Sequence, residues 1–107
     1  MENWTEKDFE IYVLIYAAHC NLQESLKELQ VLLSQFNKDE FDVIYHEILK
    51  DSPETSLKKI TTFLSENDLS FNRKNEILQN VKKIFFADGT IDSIEKETFA
   101  ILKKLLN

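Results

Sequence analysis

The sequence predicts an all-α protein, a compact bundle of about six helices in a single domain over residues 1–107, and three observations predict it. One glycine and one proline stand among 107 residues, against roughly 12% for the two together in average proteins, which leaves few places to break a helix. Apolar residues recur at intervals of three and four in several segments, the spacing of one helical face. A capping residue with an acid three positions later precedes these segments at Thr5/Asp8, Asn21/Glu24 and Asn37/Glu40, where a side-chain oxygen can accept from the unpaired amides of a first turn. A chain of this length can bury roughly two-thirds of its unfolded surface around one core.

The first helix opens at Thr5 and runs through Phe9-Glu10-Ile11-Tyr12-Val13-Leu14-Ile15-Tyr16-Ala17-Ala18. It is apolar almost all round, which predicts burial on most sides. Its β-branched residues would suit a strand, but nothing alternates and no second strand candidate exists. Trp4, just before the cap, is expected to pack on Phe9 or close by, as a staple. A second helix follows from Asn21, with Leu22, Leu26, Leu29, Leu33 and Phe36 on one side. The third starts at Asn37 and buries Phe41, Ile44, Tyr45, Ile48 and Leu49. Ser52-Pro53-Glu54 starts the fourth, proline being tolerated in a first turn, with Leu57, Ile60, Phe63 and Leu64 inward. Glu66-Asn67-Asp68-Leu69-Ser70 reads as a polar connector, and from about Ser70 a fifth helix carries Ile77, Leu78, Val81, Ile84 and Phe85.

The only glycine falls in Phe85-Phe86-Ala87-Asp88-Gly89-Thr90-Ile91-Asp92-Ser93-Ile94-Glu95. A helix arriving through Phe86 must stop there, because Gly89 supplies the positive-φ residue that ends helices at low cost. Asp92 then caps a sixth helix, Glu95 completes a capping box, and the apolar run Ile101, Leu102, Leu105, Leu106 follows. Asp88 falls at the negative end of the incoming helix dipole, where a carboxylate is disfavoured by about 0.3–1 kcal/mol. Either Lys82 and Lys83 offset that charge, and the segment is a plain capped turn, or a bound cation does. Asp88, Gly89, Thr90, Ile91, Asp92 and Glu95 match the later half of a calcium loop, glycine and final glutamate included. Ile84 and Phe86 stand where the earlier carboxylates belong, which excludes an EF-hand. Asp88, Asp92 and Glu95 are therefore candidate ligands for a weakly held hard cation, Mg²⁺, Ca²⁺ or Mn²⁺.

The run Ala87-Asp88-Gly89-x-Ile91-Asp92-x-x-Glu95 between two amphipathic helices resembles the signature of the TerB-like tellurite-resistance family. The resemblance is clearest from about Leu57 to Leu106. It implies an all-helical, internally duplicated domain without catalytic activity, linked to tellurite and general stress resistance, with acidic loops proposed to bind divalent metal. Carried over to this chain, the ligands are Asp88, Asp92 and Glu95. An internal repeat at a shift of 69 residues lays Tyr16-Ala17-Ala18-His19-Cys20-Asn21-Leu22 over Phe85-Phe86-Ala87-Asp88-Gly89-Thr90-Ile91. Leu32, Leu33 and Phe36 then fall on Ile101, Leu102 and Leu105, so that two helical hairpins would pack as a pseudo-twofold pair. The family usually has an acidic corner in each half; here His19, Cys20 and Gln23 replace the Asp, Gly and Asp of the other corner.

Charge and motifs narrow the function classes. A net charge of −6 argues against nucleic acid and against anionic membrane as a main partner. It favours cations or basic protein partners. The apolar run Ile11 to Ala18 is too short to span a bilayer, and the first residues lack the basic region of a secretory signal, so a cytoplasmic protein without membrane insertion is expected. A lone cysteine, Cys20, suits a reducing compartment and reads with His19 as a helix-end structural feature. No phosphate-binding glycine loop, nucleophile elbow or HExxH pair is present, so no enzyme and no organic cofactor are expected. The alternative to a metal-linked, TerB-like role is a small acidic interaction module without metal. Asp51-Ser52-Pro53-Glu54 resembles a helix start of colicin-type immunity proteins, and the exposed acids of such a module would include Asp39, Glu40, Asp42 and Glu47. The identity of the protein partner and the oligomeric state stay open at this level.

Overall fold

The structure, a computed structural model, describes residues 4–19, 36–86 and 93–106, with the helical backbone alone at 18–19, 84–86 and 93–95. Its helices are α1 (Glu6–His19), α2 (Lys38–Leu49), α3 (Pro53–Glu66), α4 (Phe71–Phe86) and α5 (Ser93–Leu106). Among the described residues there is no strand, and the all-α expectation holds. The expected helix from Asn21 to Phe36 lies almost wholly outside the described residues. So does much of the internal repeat, which pairs residues 16–22 with 85–91.

Why α1 stands at the centre follows from its composition. Phe9, Ile11, Tyr12, Val13, Leu14, Ile15 and Ala17 are all buried, and every other described helix packs against it. A helix with no polar face can only be satisfied by neighbours on all sides. α4 and α2 cover it most extensively, α3 and α5 less so, and α4 also packs on α5. The radius of gyration is 12.8 Å, close to the roughly 13 Å of a globule of this length. No described helix is long and apolar enough to cross a membrane.

The expected starts form as the residues dictate. The Thr5 N–H donates to Asp8 Oδ2 and the Asp8 N–H to Thr5 Oγ1, each at 3.1 Å, which is the reciprocal capping box. Asn37 Oδ1 accepts from the amides of Asp39 and Glu40, and Ser52 Oγ accepts from Thr55 with Pro53 at the first helical position. Ser70 Oγ accepts from the Arg73 amide, opening α4.

The packing refines several of these expectations. Leu49 is 57% exposed rather than buried, because it flanks the stripe of Phe41, Ile44 and Ile48 at the last residue of α2. Ile101 is likewise exposed, while Leu102 and Leu106 carry the inward face of α5. Leu69, in the connector taken as polar, is buried and plugs the junction between α3 and α4. Trp4 packs over Tyr12, ring centroids 4.6 Å apart, and Phe63, whereas Phe9 stacks on Phe63 at 4.3 Å.

Candidate functional site

The candidate corner lies between α4 and α5. α4 ends at Phe86 and α5 begins at Ser93, and the two helices pack together. Of the predicted ligands, Asp88 and Asp92 lie outside the described residues. Glu95 is the third residue of α5 and its side chain lies outside them too. Gly89 and Cys20 also fall outside, and His19 is the last residue of α1. Lys82 and Lys83 are exposed in the final turns of α4. Among the described residues, no three His, Cys, Asp or Glu side chains converge so as to hold a metal ion.

The helix that enters the corner is held by a buried carboxylate that the sequence reading passed over. Glu10 is 5% exposed within the apolar body of α1. Its two oxygens accept from Arg73 Nη2 at 2.8 Å and Asn80 Nδ2 at 2.6 Å, both on α4, and Arg73 Nε also lies 3.3 Å from Glu6. Burial alone would lower the Arg73 guanidinium, but the hydrogen bond and charge of Glu10, with Glu76 and Glu6, outweigh it and raise it above its ordinary value. The pairs span about two turns of α4, from residue 73 to 80, and so fix both the rotation and the axial position of that helix on α1.

A second polar constellation joins α1, α2 and α3. Tyr12 Oη lies 2.6 Å from Asp51 Oδ2 and 3.0 Å from Ser56 Oγ. A phenol has one proton to give; it goes to the carboxylate, and the Ser56 hydroxyl can then donate to the phenol oxygen. Lys59 Nζ bridges Asp51 Oδ2 at 2.9 Å and Glu47 Oε2 at 3.0 Å, and Trp4 Nε1 reaches Glu47 Oε1 at 3.4 Å. Burial, then the hydrogen bond to Asp51, pushes the Tyr12 hydroxyl well above its ordinary range. Burial opposes the charge on Lys59, but hydrogen bonds to Asp51 and Glu47 overcome it and raise that ammonium as well. Through these bonds the cluster ties α1, α2 and α3 together.

That tie reclassifies two sequence features. Glu47 is not an exposed acid free to meet a partner, since Lys59 and Trp4 hold both its oxygens. Asp51-Ser52-Pro53-Glu54 acts as an ordinary helix start whose Asp51 is bound to Tyr12 and Lys59. Glu40 lies 3.8 Å from Lys7 across the α1–α2 contact. His46 is exposed, with Nδ1 2.7 Å from the Asp42 carbonyl oxygen one turn earlier, which leaves Nε2 to solvent. Comparison with models of protein families, with curated proteins and with solved structures finds no match.

Proposed function

We propose that the chain is a non-enzymatic, TerB-like domain whose acidic corner takes up a divalent cation, Mg²⁺, Ca²⁺ or Mn²⁺, through Asp88, Asp92 and Glu95. The observation that carries the reading is the frame around the corner: α4 stops and α5 starts on either side of residues 87–92, and the two helices pack together. A cation shared by acids at the end of one helix and in the first turn of the next would tie the two helices together. Three carboxylates without further oxygens imply weak binding, with Kd on the order of 10⁻⁴–10⁻³ M. By its resemblance the domain acts in tellurite or general stress resistance as a cytoplasmic protein.

A titration of chelator-stripped, ¹⁵N-labelled protein with each cation tests this. Saturable shifts confined to the amides of residues 87–96, lost in Asp88→Asn/Glu95→Gln, are expected. A chain that shows no localised change up to 10 mM of any of these cations has a capped turn there and no ion site.

A further inference from the structure

The outer face of α2 carries a self-complementary pattern that the corner does not use. Val43 is 67% exposed and Leu49 57% exposed, and with exposed His46 they form a row at intervals of three along the helix. Asp42 and exposed Lys50 flank that row at its two ends. At 100° per residue all five positions fall within about 120° of arc, opposite the buried stripe of Phe41, Ile44 and Ile48.

We propose that this face docks a second copy of the same chain, α2 against α2, antiparallel about a twofold axis passing beside His46. The charge order selects that arrangement. Antiparallel pairing centred on residue 46 sets the Asp42–Val43 end of one helix level with the Leu49–Lys50 end of the other, so acid lies across the seam from base twice per dimer, with Val43 and Leu49 packing along its two edges. Parallel pairing would set Asp42 beside Asp42 and Lys50 beside Lys50. Asp42 and Lys50 are eight residues apart, about 12 Å along the axis, beyond the reach of an ion pair within one helix. The two charges therefore do not satisfy each other. One exposed helical face buries less than the roughly 1,200 Å² of a standard stable interface, so the dimer is weak, with Kd on the order of 10⁻⁴ M. The proposal uses none of the residues of the metal site, Asp88, Asp92 and Glu95.

Sedimentation equilibrium from about 10 μM to 1 mM tests it. The weight-average mass of the unaltered chain should rise toward that of two chains. Asp42→Lys alone and Lys50→Asp alone should each weaken association by about tenfold or more, since each sets like charges together twice. The double variant D42K/K50D should restore it, and V43S/L49S should abolish it, with far-UV circular dichroism unchanged throughout. A single-chain mass at every concentration overturns the proposal. So does association that ignores V43S/L49S, or a double charge swap that fails to recover what the single reversals lose.

Discussion

Glu10 shows how one side chain can orient two helices. Its carboxylate sits in an apolar environment where an unpaired charge would cost several kcal/mol, yet both oxygens are occupied by Arg73 and Asn80. Glu10→Gln keeps the shape and removes the charge, and should cost about 2 kcal/mol in chemical denaturation, the usual loss for hydrogen bonds to a charged group. Replacing the pair together, E10M/R73M, should cost less than the sum of E10M and R73M, because neither charge is left without its partner. The sequence held a signal for this pair: a lone acid inside an apolar helix needs a cation, and Arg73 is the only arginine in the chain. No spacing rule, though, links residues 63 positions apart in sequence.

Tyr12 makes a comparable prediction with a pH dependence. Its hydroxyl ordinarily ionises at 10.0 and is held protonated well above that by burial and Asp51. The folded chain therefore keeps a proton that the unfolded chain releases above about pH 10. Stability from this group is fully present below that pH and is lost as the pH climbs further; Lys59 acts in the same direction. Tyr12→Phe should cost about 1 kcal/mol at neutral pH and should flatten the fall of unfolding free energy between pH 10 and 12. A fall as steep as that of the unaltered chain would assign the alkaline sensitivity to other groups.

At the scale of elements, the helix starts were legible because caps are local. Thr5/Asp8, Asn37 and Ser52 each accept or donate within three residues, and the sequence shows both partners. The width of a buried face is not local. The stripe of α2 reads from sequence as Phe41 through Leu49, but how far round the helix the core extends depends on neighbours distant in sequence, chiefly α1. Adjacent residues test the register: Ile48→Ala should cost about 2–4 kcal/mol by leaving a cavity, whereas Leu49→Ala should stay within about 0.5 kcal/mol. Equal costs, measured by denaturant midpoints, would contradict the orientation of α2. Burial of Leu69 is non-local for a related reason. Composition marks a short connector as polar, yet a junction between packed helices needs one apolar side chain to close it.

On the scale of the whole molecule, α1 is the axis and its all-round apolar sequence foretold that position. Every described helix leans on it, and the most extensive partner, α4, leads into the acidic corner. Legibility of the corner differed in kind. Gly89 and the acids around it predict a turn and candidate ligands from sequence, while an ion's presence depends on carboxylate geometry that no residue pattern specifies. Binding to the folded state alone would raise stability by mass action. Thermal unfolding of chelator-stripped protein with and without 10 mM Ca²⁺, Mg²⁺ or Mn²⁺, beside Asp88→Asn/Glu95→Gln, measures this directly. For a Kd near 1 mM the account predicts a rise of roughly 5–10 °C for at least one cation, absent in the variant. An unaltered chain whose midpoint stays fixed with all three, or moves equally in the variant, would contradict a cation site at Asp88, Asp92 and Glu95.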